Sequence, residues 1–344
     1  MKRACLLLCL PFVSLFFSCS TKVDLYAGYQ EKPVIYGLLD ARADTNFIKI
    51  TRAFYVKGDA HQIALNPDSS NYPGKLDARL VEYSNGDSVR EIILDTITIH
   101  NKEQGVFYAP SQKLYYTTEP LPNNSTTEKY SYKLKVALPD RLLTTRAELV
   151  GNDTYGVQSL AVNFSKEYFH AVPREFLFRP AINAGFYEVN MTFTFLEQRT
   201  PDGDSVPRTM RWYIGRLNEY ELSHDMDFNC YKFYYRPEDY YAKLAELLGS
   251  DTAIVGLQRF IGDYPVEVII TAGGDELGQY IHNNNSSLGF SQGDNEFSLI
   301  DGGYGVFSSR MTARRLVRLG GSTVPELVAK RNWGFKFIGG REDN

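Results

Sequence analysis

The sequence predicts a mainly β protein with some α-helix, in which an N-terminal immunoglobulin-like β sandwich is followed by a mixed, β-rich α+β domain. Tyr (24) and Phe (21) are abundant, and aromatic residues favour strands over helices. Short runs of alternating apolar and polar residues recur through the first half of the chain. In the second half, such runs are mixed with helix patterns, which is typical of an α+β domain.

The first residues have the layout of a secretory signal peptide. Lys2 and Arg3 precede an apolar run, Ala4 to Phe17, that is shorter than the roughly 20 residues needed to span a bilayer. Ser18 and Cys19 follow, and residues 16–19 resemble the lipobox of bacterial lipoproteins. We therefore predict a signal peptide over residues 1–18 and a lipidated tether over residues 19–32, with acyl chains such as palmitate on Cys19. An ordinary signal peptide with an incidental cysteine, or an uncleaved anchor, is the alternative.

Cysteine usage agrees with export to the cell envelope. Cys5 and Cys9 leave with the signal and Cys19 is acylated, so Cys230 alone remains in the folded body. An exported chain with one free thiol has no internal disulfide framework, and its core must stabilise it. Cys230 lies among aromatic residues without a neighbouring histidine motif. We predict a buried, small apolar residue there and not a nucleophile.

The charge of the chain argues against nucleic acid as a partner, and its hydropathy argues against a second membrane-spanning segment. The formal net charge is −4, and it becomes more negative when Lys2 and Arg3 are removed with the signal. A mildly acidic chain without basic runs argues against nucleic acid as a partner. No second apolar stretch is long enough to cross a membrane, so we expect the lipid to be the membrane attachment.

Residues 33–150 are predicted to form the sandwich as a self-contained unit. The strand-like runs are Val34–Leu39, Phe47–Phe54, Ala78–Tyr83, Val89–Ile99, Tyr130–Val136 and Leu142–Val150. Asn85-Gly86-Asp87 is a hairpin turn, because Asn-Gly tolerates the positive φ that such turns require. About seven short strands over this length are typical of an immunoglobulin-like sandwich. A small barrel is the alternative.

Residues 151–344 are predicted to form the second domain, with Gly151-Asn152-Asp153 as the boundary. A long hairpin joins Phe186–Gln198 to Thr209–Leu217 through the turn Pro201–Asp204. A helix begins at Pro237, with Tyr240, Leu244, Leu247 and Leu248 as its apolar stripe, and ends at Gly249. Further predicted elements are a strand over Val266–Thr271, a strand ending at Arg310 and a short helix over 323–330.

Candidate catalytic motifs are absent from the sequence. The glycines of Ala272–Gly278 do not have the spacing of a nucleotide-binding loop, and helix capping is the better interpretation. The five histidines are not spaced as metal ligands, and His224–Asp227 is better interpreted as an acidic turn than as a metal loop. Asp202-Gly203-Asp204 lacks the later Glu of a calcium loop. We therefore predict no catalytic, cofactor-binding or metal-binding residue.

Four hydroxyl residues stand after an aspartate and before an apolar residue, a context in which some exported bacterial proteins are O-glycosylated. They are Ser88, Thr96, Ser205 and Thr252. Such tripeptides are also common by chance.

Several segments together resemble an uncharacterised family of Bacteroidota outer-membrane lipoproteins. They are Lys22–Leu25 after the lipobox, Pro33–Leu39, Tyr130–Val136 and Gly302–Arg310. Residues 200–260 match nothing in that family's pattern. The resemblance implies an immunoglobulin-like first domain, a domain of unknown function behind it and a position beside TonB-dependent outer-membrane receptors. It implies no catalytic residue.

The expected function is therefore that of a lipid-anchored accessory or binding protein, on the periplasmic or the cell-surface face of the outer membrane. The expected partners are a TonB-dependent receptor or a surface polymer such as a glycan. A lipid-anchored hydrolase of glycans or peptides is the alternative, and a purely adhesive protein is a third. Converging carboxylates in a deep pocket would favour the hydrolase.

Overall fold

The computed structural model describes residues 32–53, 62, 64–105, 108–165, 173–249, 256–286, 298–330 and 333–338. Strands predominate in these ranges and a few helices accompany them, which confirms the predicted mainly β fold with some α-helix. Cys19, the predicted signal peptide and the tether up to residue 31 lie outside the described residues.

The described residues before Val150 form two facing sheets. Their strands are β1 (Lys32–Leu39), β2 (Asn46–Ala53), β3 (Ala78–Ser84), β4 (Asp87–Ile93), β5 (Asp95–Ile99), β6 (Gln112–Thr117), β7 (Tyr130–Ala137) and β8 (Leu142–Glu148). A single helical turn, α1 (Pro67–Ser70), is capped by the Asn66 side chain, which accepts a hydrogen bond from the Asp68 backbone N–H at 3.0 Å.

The strand order is that of an immunoglobulin sandwich. One sheet has the order β1-β2-β6-β5, and the other has the order β4-β3-β7-β8. With the strands lettered along the chain and β4 as C′, these orders are A-B-E-D and C′-C-F-G. Side chains of both sheets, including Ile35, Ile48, Leu80 and Leu134, share one buried core. The predicted sandwich is confirmed, with two separate sheets in place of a closed barrel.

One predicted strand of the sandwich is wrong in its extent, and one strand was missed. The run Val89–Ile99 divides into β4 and β5, which belong to opposite sheets. At the corner, Leu94 is buried and its N–H donates to the Ala78 carbonyl at 2.9 Å. Because apolar residues continue through the corner without glycine or proline, no local signal marks it. Strand β6 was not predicted, although its Tyr115 is completely buried.

The turn between β3 and β4 is as predicted. Asn85 has φ 49° and Gly86 has φ 97°, so both central residues adopt the positive φ of the tight hairpin turn.

The second region contains one small sheet and shares one very wide sheet with the sandwich, whose strands β1, β2, β6 and β5 continue it. Its strands are β9 (Gly156–Val157), β10 (Ala161–Val162), β11 (Arg174–Arg179), β12 (Phe186–Gln198), β13 (Val206–Asn218), β14 (Ser223–Asp225), β15 (Cys230–Tyr235), β16 (Gln258–Ile261), β17 (Val266–Gly273), β18 (Tyr304–Leu319) and β19 (Phe335–Phe337). The wide sheet has the order β19-β16-β12-β17-β18-β1-β2-β6-β5, with β13 beside β12 and β10 beside β18. The small sheet has the order β14-β15-β11-β9.

Three helices accompany these sheets: α2 (Pro237–Leu248), α3 (Asp275–Ser286) and α4 (Thr323–Ala329). The first and last were predicted over nearly the same residues. Tyr240, Leu244 and Leu248 of α2 are buried as expected, and Gly249 caps its end with φ 49°. The ring of Tyr240 stacks on Phe164 at 3.9 Å between centroids. Within the described ranges, no helix combines the length and the hydropathy needed to cross a bilayer.

The predicted hairpin of β12 and β13 is confirmed, and β13 begins three residues earlier than expected, at Val206. Pro201–Asp204 lies in the connecting turn, where the Gly203 N–H donates to the Thr200 carbonyl at 3.0 Å. The inward residues of β12, among them Tyr187 and Phe193, enter a core that is separate from that of the sandwich.

The two cores meet between Leu149 and Val150, and they are joined by one strand. Leu149 belongs to the sandwich core, and Val150 belongs to the second core. Strand β18 is 16 residues long, or about 53 Å, and runs through both regions. Its first part pairs in parallel with β1, and its second part pairs with β17. Ile300 and Phe307, from the C-terminal part of the chain, complete the sandwich core, so the unit predicted over residues 33–150 does not contain the whole of that core.

Glycine is required where β18 meets β1. Gly305 has φ 104°, and a Cβ there would overlap the Ile35 carbonyl oxygen. The parallel pairing of the two strands therefore depends on a residue without a side chain.

Candidate functional site

A cleft of about 700 Å³ lies where the end of β13, a 3-10 turn (Glu219–Glu221) and α3 meet. The sheet register brings these elements together, because Asn218 pairs with Phe186 and Phe186 pairs with Gly273, one residue before the turn into α3. The polar lining consists of the carboxylates Glu219, Glu221 and Asp275, the amides Asn218, Gln279 and Asn283, and the side chains of Arg216, Tyr220 and His282.

Two glycines allow the walls of the cleft to approach each other. A Cβ on Gly185 would overlap the Asp275 carboxylate, and a Cβ on Gly273 would overlap the ring of Phe186. The glycines before α3 thus allow close packing. Helix α3 begins directly after them, at Asp275, where the sequence predicts a helix start.

Two of the three carboxylates already serve as acceptors inside the protein. The Tyr231 hydroxyl donates to Glu219 Oε1 at 2.8 Å, and the Asn218 backbone N–H donates to Glu221 Oε2 at 2.7 Å. Burial, and the hydrogen bond to Glu219, raise the pKa of Tyr231 to about 12. These carboxylates fix the 3-10 turn that forms one wall of the cleft.

Tyr220 is held at the mouth of the cleft with its ring in solvent. Its side chain is among the most exposed large apolar groups of the described chain, at 84%. The Asn218 side-chain amide donates to the Tyr220 hydroxyl at 2.9 Å, which restricts the ring. An exposed aromatic ring in a fixed position provides a flat apolar surface for a ligand.

Arg216, two residues before Asn218 in β13, adds a positive charge to the lining of the cleft. Its guanidinium lies 5.5 Å from the centre of the Phe186 ring, a cation–π arrangement that orients it. The cleft therefore offers donors, acceptors and one aromatic face within a single concave surface. Such donors and acceptors can form hydrogen bonds with the hydroxyl groups of a ligand.

The structure does not bring the sequence-predicted modification sites together. Ser88 is exposed in β4, Thr96 is half-buried in β5, and Ser205 is exposed just before β13. None of these three residues lines the cleft. Thr252 and Cys19 lie outside the described residues. Acylation of Cys19 and glycosylation of the other four remain predictions.

The other candidates have structural roles. Cys230 is buried and its thiol donates to the Phe228 carbonyl at 3.3 Å, as predicted for a core residue, and burial raises its pKa. His224–Asp227 forms part of the β14–β15 hairpin. Across the part of the chain that the structure describes, no three His, Cys, Asp or Glu side chains are placed to share a metal ion.

Sequence reasoning missed the cleft, although one signal for it exists. The alternating pattern of β13 stops at the polar stretch Asn218–Glu221, before the next strand begins. A polar break at the end of a long strand indicates a surface turn, but it does not indicate which element packs against that turn. His282 and Gln279 join the site through α3, about 60 residues later.

No protein-family model matches the chain, and a comparison with curated proteins found no similar sequence.

Proposed function

We propose that this chain is a lipid-anchored accessory protein of the outer membrane that binds a surface glycan in the cleft between β13 and α3. The observation that carries the proposal is the lining: amides, carboxylates and the exposed ring of Tyr220 in one concave surface, with Glu219 and Glu221 engaged in internal hydrogen bonds. Carboxylates that hold the protein's own groups suit binding better than acid–base catalysis.

The proposal includes a lipid anchor on Cys19, which is predicted from the sequence around that residue. A tether from Cys19 to residue 31 reaches at most about 45 Å when fully extended. It keeps the cleft near the membrane, so a weakly bound polymer or a neighbouring TonB-dependent receptor is met at a high effective concentration. An acylated cysteine with more than one chain is anchored stably.

Affinity electrophoresis in gels that contain the neutral surface polysaccharide of the native host tests the glycan site. We expect the protein to be retarded, and Tyr220→Ala or Gln279→Ala to reduce the retardation at least severalfold, because each removes a contact surface. Tyr264→Ala is the matched control, since Tyr264 is also exposed and does not line the cleft. Equal retardation of all variants would contradict the proposal.

The hydrolase alternative is supported by the three carboxylates that line one cleft. The same polysaccharide can be incubated with the protein and assayed for new reducing ends. Release of reducing ends that is lost in Asp275→Asn would favour the hydrolase, because a glycosidase needs a free carboxyl group near the scissile bond.

Membrane fractionation tests the anchor separately. Cys19→Ala is expected to give an uncut precursor or to release the protein from membranes. A variant that fractionates and migrates like the wild type would exclude the lipoprotein assignment.

A further inference from the structure

The hairpin of β14 and β15 ends in a turn, residues 226–229, that presents two large apolar side chains to solvent. Met226 is 80% exposed and Phe228 is 66% exposed. We propose that this turn, hereafter the hairpin tip, docks into an apolar pocket with a basic rim on a partner protein. The inference does not depend on what the cleft binds.

The hairpin tip is held in one conformation by polar groups. Lys232 Nζ lies 3.1 Å from the Asp225 carboxylate, and hydrogen bonds from Lys232 and from the backbone N–H groups of Phe228 and Asp227 lower the pKa of Asp225. Asn229 adopts φ 48°, which closes the turn. A turn that is fixed before it binds loses little conformational entropy on binding.

The ring of His224 contacts two residues of the same turn. One ring nitrogen of His224 lies 3.0 Å from Met226 Sδ, and the other lies 3.3 Å from Asn229 Oδ1. The His224 ring also packs edge-on against Tyr231 at 5.3 Å between centroids. Met226 is thus positioned, although its surface remains in water.

The apolar residues of the tip contribute nothing evident to the fold. Phe233 and Tyr235 of the same hairpin are buried in the second core, whereas Met226 and Phe228 are directed away from it. Single exposed apolar residues are common, but two on one ordered turn form a small protruding apolar surface. Met and Phe are enriched in the centres of protein interfaces.

Charge distinguishes a protein pocket from a lipid surface. Asp227 stands between the two apolar residues, is exposed, and is not paired with a cation among the residues that the structure describes. Its carboxylate beside the apolar pair favours a partner with Lys or Arg around its pocket. It disfavours insertion among anionic lipid headgroups.

Photo-crosslinking in the native host tests the proposal. A benzophenone amino acid replaces Phe228 in the full-length chain, and Val206, which is 59% exposed on another element, is the control position. We expect one protein adduct from position 228 and none from 206. The crosslinked partner peptide should contain apolar residues flanked by Lys or Arg.

A charge reversal at Asp227 then tests the proposed basic rim of the partner's pocket. Asp227→Lys should lower the adduct yield about tenfold, because it places like charges together. Asp202→Lys, at the exposed turn of another hairpin, should leave the yield unchanged. An adduct with phospholipid, no adduct, a partner peptide without basic residues, or a yield insensitive to Asp227→Lys would each overturn the proposal.

Discussion

Among the residues that the structure describes, the sandwich and the second region each bury one carboxylate, and they balance its charge differently. In the sandwich, Glu82 Oε2 accepts hydrogen bonds from Arg90 Nη2 at 2.9 Å and from the Tyr132 hydroxyl at 2.7 Å. The Arg90 side chain is 35% exposed, so it also reaches water. The hydrogen bond and burial together raise the pKa of Tyr132, with burial as the larger cause.

In the second region, three guanidinium groups surround Glu197. Arg208 Nη1 and Arg259 Nε donate to its Oε2 at 2.8 Å and 3.0 Å, and Arg199 Nε donates to its Oε1 at 3.1 Å. The Arg259 side chain is completely buried and also donates to the Trp333 carbonyl. This carboxylate therefore joins β12, β13, β16 and the chain's C-terminal segment.

The difference predicts that losing a buried carboxylate destabilises the fold most when its partner has no access to water. A half-exposed arginine can be solvated if its carboxylate is lost, but a buried one cannot. The apolar side chains of Ile300 and Phe307 complete the core of the sandwich. The second region depends on a buried ionic cluster as well as on its aromatic core.

The largest effect is expected for Glu197→Gln. Removing this charge leaves the buried Arg259 without its counter-charge, which should cost about 3–5 kcal/mol of unfolding free energy. Urea unfolding followed by near-ultraviolet circular dichroism measures it. Glu175→Gln is the control, because Glu175 is 43% exposed. A loss below about 1 kcal/mol would mean that the cluster is not essential.

Gly305→Ala should rank second and should affect both regions together. The residue has φ 104°, which costs about 1–2 kcal/mol with a Cβ, and the overlap with the Ile35 carbonyl forces β1 and β18 apart. We expect a total of about 3 kcal/mol. Gly86→Ala is a matched control, since Gly86 has φ 97° but no atom within 4 Å of the added Cβ. Equal losses for the two variants would mean that the strand contact contributes little.

Glu82→Gln should have a smaller effect than Glu197→Gln. Arg90 retains access to water and a hydrogen bond to the Pro120 carbonyl, so only the charged hydrogen bonds are weakened. We expect a loss of about 1–2 kcal/mol in the same unfolding experiment. A loss equal to that of Glu197→Gln would remove the contrast between the two regions.

The smallest effect is on the pH dependence of stability. Burial raises the pKa of Glu197, but Arg208 and Arg259 lower it by more, so the folded pKa lies below the ordinary value of 4.5. A carboxylate with a depressed pKa stabilises the fold above its unfolded pKa, and that stability is lost as the pH falls through the folded pKa. Below about pH 4.5, the wild type should therefore lose stability more steeply than Glu197→Gln. Urea midpoints measured at successive pH values test this, and identical slopes would contradict it.

Local patterns in the sequence predicted those parts of the fold that depend on local chemistry. Strand alternation identified β12 and β13, Asn85-Gly86 identified a turn, and Pro237 with Gly249 identified the ends of α2. The corner at Leu94 could not be found in this way, because apolar residues lead directly into it and neither glycine nor proline marks it.

The parallel pairing of β1 with β18 could not be predicted in the same way, since the paired residues are about 270 positions apart. The need for glycine at position 305 becomes evident only when the Ile35 carbonyl is seen beside it. The cleft could not be predicted for the same reason, because Asn218 and Gln279 become neighbours only through the order of strands in the sheet. Strand order depends on which faces are buried together, and no short motif encodes it.

The position of β1 has a mechanical consequence. It is the first described strand after the N-terminal segment, and it is held between β2 and β18 over most of its length. Tension applied through that segment acts along β1, so the hydrogen bonds on both edges are loaded in shear and resist together. A strand peeled from one end would release them one at a time. A pull on the N-terminus is therefore transmitted through β18 into the second region before the sandwich opens.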